Sequence, residues 1–238
     1  MSTFRVNVKA NIESTVRKTV FFDIKPDSMN RIRVVPPVDE TGMIFTKAVN
    51  HFKLKNEDGF GIALACLEEH GDEGTCYLCK LIKFLEKTGD KSDAKVAKML
   101  AASSRWYLQA FIGEKDVDGN LNYTGPKLVG LSKTTAEKVS NLLTTQDQIG
   151  DVFFCDPDNG QDLVVQRIGT GFKTKYEVQL TGKQVALSDI VPDWEDKLIT
   201  DVNEALNMKV RTPEEQREAV LRTFGDELDW DTIDAAVS

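Results

Sequence analysis

Arg105-Trp106-Tyr107-Leu108-Gln109-Ala110-Phe111-Ile112-Gly113, followed by Asp118-Gly119-Asn120 and Leu121 to Leu131, is the stretch that decides the fold class. Its first residues alternate with period two. Trp106, Leu108, Ala110 and Ile112 make an apolar face, while Arg105, Tyr107, Gln109 and Phe111 make a second face that mixes a cation with two aromatics. Asp-Gly-Asn then reverses the chain, so the run reads as a β-hairpin.

Working outward, Met29 to Val35 alternates Ile32 and Val34 with Arg31 and Arg33 and stops at Pro36-Pro37, a strand with one basic face. Met43 to Leu54, Asp151 to Cys155, Asp162 to Ile168 and Lys175 to Leu180 read as further strands, the last three separated by Asp156-Pro157-Asp158-Asn159-Gly160 and Gly169-Thr170-Gly171. Helical periodicity covers Tyr77 to Lys87, Ser92 to Ala102 with Ser92 as N-cap, Ser132 to Thr145 with Ser132 as cap, Trp194 to Asn207 and Pro213 to Phe224. Six or seven strands with a helix between the third hairpin and the last strands make a mainly β chain with helices, an α+β fold. The expectation is an elaborated OB-fold barrel with an inserted metal-binding subdomain and a helical, acidic C-terminal extension. The expected division is an N-terminal arm over 1–28, a core over 29–185 with the metal subdomain at about 50–103, a helical extension over 186–211 and a tail over 212–238.

The metal expectation rests on Cys66-x9-Cys76-x2-Cys79, preceded by His51. A Cys-x2-Cys turn lets two thiolates face one ion, and two more ligands close a tetrahedral zinc shell. Four protein ligands leave no position for water or substrate, so one zinc would hold structure rather than catalyse. The other readings are buried small hydrophobes or a disulfide. Residues 1 to 20 lack the apolar core of a signal peptide, and a reducing cytoplasm favours thiols and metal. His70 competes with His51 as fourth ligand. It lies in the acidic loop Glu68 to Gly74, whereas His51 lies in a strand-like run, which fixes a ligand better. Cys155 follows Val152-Phe153-Phe154 and reads as core.

The chain has 238 residues and a formal charge of -8. That charge is uneven. Residues 186 to 238 carry 14 acidic and 5 basic side chains, which leaves the first 185 near neutrality. The last fourteen residues, with Asp226, Glu227, Asp229, Asp231 and Asp234, hold five acids and no base. Leu228, Trp230 and Ile233 are interspersed there and suggest an interaction tail with apolar anchors rather than a solubilising end. No apolar run approaches the roughly 20 residues that span a bilayer.

A surface that binds single-stranded nucleic acid needs cations for phosphates and aromatic faces for bases. Arg31, Arg33, Lys53, Lys55, Arg105, Tyr107, Phe111, Arg167, Phe172, Lys173 and Lys175 supply both, mostly on outward strand faces or adjoining loops. For each, an ordinary exposed cation or core aromatic is the competing reading. Arg105-x-Tyr107-x3-Phe111 is the strongest group, because the opposite strand face already supplies a core.

The segment Phe22 to Pro37 (FDIKPDSMNRIRVVPP), His51, the cysteine spacing, Arg105-Trp106-Tyr107 and Asp156 to Asp162 (DPDNGQD) together resemble the single-stranded DNA-binding, helix-destabilising proteins of T-even-type and related tailed phages. The likeness covers roughly residues 20 to 182, and the cysteine spacing is its specific part. The resemblance implies a zinc-containing OB-fold and cooperative, largely sequence-independent binding of single-stranded DNA. It also implies roles in replication, recombination and repair in the host cytoplasm, with self-association along DNA. The family's zinc ligands carry over to His51, Cys66, Cys76 and Cys79. Its acidic C-terminus implies recruitment of replication proteins (polymerase, helicase loader, recombinase), here through Asp226 to Asp234. The family's basic Ser/Thr cooperativity motif has its nearest match in Ser14-Thr15-Val16-Arg17-Lys18-Thr19, with only two cations.

Two other classes compete. A metal-dependent nuclease needs an open metal position or a carboxylate cluster, and the chain has no His-Glu-x-x-His and no phosphate-binding P-loop. A zinc-stapled protein adaptor would use the C-terminal helices and tail as its working surface.

Overall fold

The computed structural model describes residues 20–37, 41–71, 75–169, 173–206 and 211–237. The chain is mixed α+β and divides into two compact units, one from Met1–Thr46 with Trp106–Ala205, the other from Lys47–Arg105 with Leu206–Ser238. The strands are β1 (Phe21–Phe22), β2 (Met29–Val34), β3 (Phe45–Lys55), β4 (Gly61–Ala65), β5 (Ser103–Lys115), β6 (Leu121–Leu131), β7 (Gln161–Ile168) and β8 (Lys175–Gln184).

In the first unit the strand order is β1-β6-β5-β2-β7-β8. β1 runs parallel to β6, and the other neighbours are antiparallel. Among the described residues no ladder joins β1 to β8, so the sheet is open and the expected closed barrel is not seen. The edge strand β1 is two residues long, which leaves little backbone on which a barrel could close.

Alternation places one face of this sheet in a core. Ile32 sits opposite Ile112 and Leu163, and Val34 opposite Ala110. These side chains pack with Leu108, Val129, Phe154 and, from α4 (Lys133–Ile149), Ala136 and Val139. α4 starts where Ser132 Oγ accepts from the Thr135 N–H at 3.3 Å and ends at Gly150, whose left-handed φ of 68° suits a residue without Cβ.

The other face is also buried over much of its length. Val35 and Phe111 pack beneath Leu187 and Val191, with Tyr123, Trp194 and Leu198 around them. Leu187 opens α5 (Leu187–Ile190), and Gln109 clasps the same covering segment. Its Oε1 accepts from Ile199 N–H at 2.6 Å and its Nε2 donates to Ile199 O at 3.2 Å. The face that the sequence left for ligand is thus partly a second, small core.

The second unit pairs the β3–β4 hairpin with α1 (Leu67–His70), α2 (Tyr77–Lys87), α3 (Lys91–Leu100), α7 (Pro213–Phe224) and α8 (Trp230–Val237). Leu78, Leu81 and Leu85 recur at helical spacing on α2 and meet Val96, Ala97 and Leu100 of α3. Ala219, Val220, Phe224, Leu228, Ile233 and Val237 complete that core.

Four expectations are corrected. Asp151 to Cys155 forms no strand, because Asp156 N–H closes a turn onto Phe153 O at 2.9 Å. Trp194 to Asn207 is not one helix. A short 3-10 turn at Glu195–Lys197 and α6 (Val202–Ala205) are what form, since Trp194 and Leu198 are spent on covering Phe111. The cap of α3 is Asp90, which accepts from Ser92 and Asp93 N–H, and not Ser92. Residues 212–238 are no free tail: Thr212 and Glu215 form a capping box with Pro213 at the helix start, and Leu228 and Ile233 are 6% and 2% exposed. Burying such side chains is worth roughly 1.5–3 kcal/mol each, enough to fold the segment back onto its unit.

Candidate metal centre and nucleic-acid face

His51, Cys66, Cys76 and Cys79 converge in the second unit, one ligand atom from each, all within 4.8 Å of one another. Local structure explains the convergence. Cys66 and Cys76 each occupy the position before a helix, preceding α1 and α2, and Cys79 lies in the first turn of α2. His51 comes from β3, where a bulge between His51 and Leu54 shifts the register. Lys53 takes a left-handed φ of 64° there. Strict alternation would point His51 and Leu54 to opposite sides. The bulge turns both inward, and both are 0% exposed.

The geometry fits one tetrahedral ion. Sγ of Cys66 and Cys79 are 3.5 Å apart, and His51 Nε2 is 3.5 Å from Cys76 Sγ and 3.7 Å from Cys79 Sγ. A tetrahedron with metal–sulfur bonds of about 2.3 Å and metal–nitrogen bonds of about 2.0–2.1 Å has edges of roughly 3.5–3.8 Å. The ring is oriented from behind by His51 Nδ1, 2.7 Å from Leu100 O. A carbonyl only accepts, so Nδ1 carries the proton and Nε2 keeps its lone pair for the ion.

The three thiols influence one another's ionisation. Cys76 is held down to about 3, first by the hydrogen bond from Cys79, against the burial that opposes charge. Cys79 is pushed up because it donates to Cys76, and Cys66 is pushed up by burial. Three packed sulfurs alone can share one negative charge. A divalent cation reverses the repulsion and lets all three ionise. His70 is not among the converging ligand atoms, and its Nε2 accepts the Val49 N–H at 2.9 Å. Cys155 packs in the core of the first unit, where burial raises its thiol.

The residues expected to contact nucleic acid fall into separate groups. Lys53, Lys55, Arg105, Lys173 and Lys175 are exposed, and Arg167 is half-buried. Tyr107 is half-buried, with Phe21 packed edge-on at 6.2 Å between ring centroids. Phe172 lies outside the described residues, as do Ser14 to Thr19 and the Asp226 side chain.

Two of these expectations are corrected. Phe111 is 0% exposed and serves the small core beneath Leu187. Arg33 is 1% exposed, donates to Val185 O and lies 3.4 Å from Asp162 Oδ1. Arg31 holds the other oxygen of Asp162 at 2.5 Å, and the Tyr123 hydroxyl donates to the same carboxylate. One carboxylate thus offsets one of the two positive charges on this face of β2, and the Arg31 side chain stays 30% exposed. Leu228 and Ile233 are likewise core residues and not exposed anchors, and Trp230 is packed against them. Glu227, Asp229 and Asp231 stay exposed, while Asp234 pairs with Arg217.

One feature of the first unit escaped the sequence reading. A groove of about 630 Å³ is lined by Phe22, Met29 and Leu121 with Lys25, Arg31 and Lys115. Met29 is 74% exposed in it. The signal that could have found it is Phe22-x2-Lys25-x3-Met29-x-Arg31, a mix of apolar and cationic residues flanking one turn.

No protein-family model matches this chain, and no curated protein compared with it is similar enough to show a relationship.

Proposed function

We propose that this protein binds single-stranded DNA without sequence preference and that a zinc ion is a structural staple of its second unit. The observation that carries the binding reading is the groove of the first unit, where Phe22, Met29 and Leu121 lie among the exposed Lys115 and two ion-paired cations, Lys25 with Glu114 and Arg31 with Asp162, each at 2.5 Å. Cations interleaved with apolar side chains suit phosphates and base faces, which every nucleotide shares, so such a surface reads no sequence. The open, mostly antiparallel sheet is compatible with an elaborated OB-like scaffold, a type that serves such ligands. The resemblance to the phage helix-destabilising proteins supports the same reading and extends it to coating single strands during phage replication, recombination and repair in the host cytoplasm.

Zinc is the proposed ion because three thiolates and one imidazole in a closed, tetrahedral set match its preferences. With all four positions taken by protein, the centre holds structure and the protein is proposed to be non-catalytic. Recruitment of replication proteins would use the exposed acids Glu227, Asp229 and Asp231, presented from a folded helical segment.

The test is a fluorescence titration of labelled oligothymidine at two salt concentrations, with duplex DNA and RNA as competitors. Salt-sensitive binding with strong preference over duplex is expected. Equal affinity for duplex and single strand, or no salt-sensitive binding at all, would reject the proposal, and the latter would favour a zinc-stapled protein adaptor.

A further inference from the structure

Gln216 is a polar side chain with 0% exposure, at the end of the first turn of α7. Its Nε2 donates to Ala65 O at 3.3 Å, and its Oε1 accepts from Leu78 N–H at 3.4 Å. Oε1 also lies 3.6 Å from Cys76 Sγ. Ala65 immediately precedes Cys66, and Leu78 lies between Cys76 and Cys79. One amide from the C-terminal segment thus bridges the backbones of the two segments that supply all three sulfurs. A buried amide is expensive to place without partners, so its two bonds constrain the geometry on both sides.

The same segment is fastened to its unit by independent contacts. Thr223 Oγ1 accepts from Lys55 N–H at 2.9 Å, four residues after His51 on β3. Arg217 binds Asp234 through Nε at 2.8 Å and Nη2 at 2.5 Å and stacks over Trp230 at 5.5 Å. Trp230 Nε1 donates to Gly225 O at 2.6 Å. Val220, Phe224, Leu228, Ile233 and Val237 share one core with Cys66 and Cys76.

We infer that Gln216 is a positioning residue for the metal centre, so that ion binding and docking of residues 211–237 stabilise each other. The coupling is reciprocal by thermodynamic necessity: if the ion tightens the hold on the C-terminal helices, docked helices tighten the hold on the ion by the same factor. An acidic segment that reads as an appendage would then report on metal occupancy. Its exposed acids, Glu227, Asp229 and Asp231, would be presented in fixed positions when the ion is bound and released when it is lost.

This coupling rests on the reading of His51, Cys66, Cys76 and Cys79 as a metal centre. The test uses the full-length, zinc-loaded protein. Zinc stoichiometry is measured first, then the rate of zinc transfer to a chromophoric chelator, then amide hydrogen exchange with and without zinc. Gln216→Met keeps volume and removes both bonds, and Val220→Ala destabilises the same helix without touching the bridge. Gln216→Met is expected to speed zinc loss roughly ten-fold, as outer-shell changes do, and Val220→Ala, which loosens the docking of the same helix, is expected to speed it to a smaller extent. Removing zinc from the wild-type protein is expected to raise exchange across Pro213–Val237 as well as around the cysteines. Wild-type transfer rates in Gln216→Met, or protection of Pro213–Val237 that ignores zinc, would overturn the coupling and leave the metal centre standing. Should Gln216→Met fail to fold, the exchange comparison on the wild-type chain decides alone. Absence of zinc from the wild-type protein would overturn the centre and the coupling together.

Discussion

His51 and Leu100 lie 2.7 Å apart, ring Nδ1 to carbonyl oxygen, and that bond leaves Nε2 as the lone pair facing three sulfurs. The end of α3 thus fixes the tautomer of a ligand on β3. One zinc per chain is expected by elemental analysis. His51→Ala, Cys76→Ser and Cys79→Ser should each lose it and lower the melting temperature, because metal affinity here is folding free energy. His70→Ala and Cys155→Ser should keep full stoichiometry. A zinc-free His70→Ala protein would refute the ligand assignment.

Phe111 and Arg33 give a second test, since both are buried and belong to structure. Phe111→Ala should cost about 3–5 kcal/mol in denaturant unfolding, the range for a large core aromatic. Asp162→Ala should cost a similar amount, about 3–5 kcal/mol, by leaving the buried Arg33 without its carboxylate. Phe111→Ala, measured below its unfolding midpoint, should not change the salt dependence of single-strand binding, whereas Asp162→Ala also frees Arg31 at the groove and is no control for it. A change in that slope in Phe111→Ala with unaltered stability would put Phe111 back on the ligand surface.

Direct contacts are expected elsewhere. Tyr107→Ala should weaken oligothymidine binding by about 1–3 kcal/mol if a base stacks on its ring. Lys115→Ala, at the groove, should reduce the salt slope by close to one counterion. Unchanged affinity and slope in both would move the binding face away from the open sheet.

Trp230 is packed and hydrogen-bonded, so its loss acts on the fold first. Trp230→Ala should destabilise the second unit by about 3 kcal/mol, at the lower end of the range for large aromatic truncations because the ring is partly exposed. Limited proteolysis should then cut within residues 225–237. A variant as stable and protease-resistant as the wild type would mean the ring is free to serve a partner.

Tyr77 supplies a pH test. Burial raises its phenol from 10.0 to about 12 in the folded chain. The folded state therefore holds this proton more tightly than the unfolded state does. The stabilisation is complete below the unfolded value and is lost as pH rises from about 10 toward about 12. Comparing thermal melts at about pH 9 and about pH 11, Tyr77→Phe should lose less stability than wild type over that interval. Parallel losses would show that the Tyr77 hydroxyl is not sequestered.

Elements whose periodicity is local, and the three cysteines of the candidate metal centre, are legible in the residues alone. The hairpin Arg105 to Leu131, α2, α4 with its Ser132 cap and α7 with Pro213 at its start are all present close to where alternation, helical spacing and capping put them. Cys-x2-Cys is a local constraint as well, because one helical turn brings both sulfurs to one point. What only the tertiary structure decided depends on residues distant in sequence. Alternation shows that Arg33 and Phe111 share a strand face but not what covers it, and here the cover is Val185 to Ile199. Charge content marks 212–238 as acidic, yet the burial of Leu228 and Ile233 depends on a core built 130 to 180 residues earlier. His51 and His70 are equally plausible ligands by composition. The choice between them is made by a β-bulge at Lys53, the Leu100 carbonyl and the Val49 amide, three backbone features that no residue type announces.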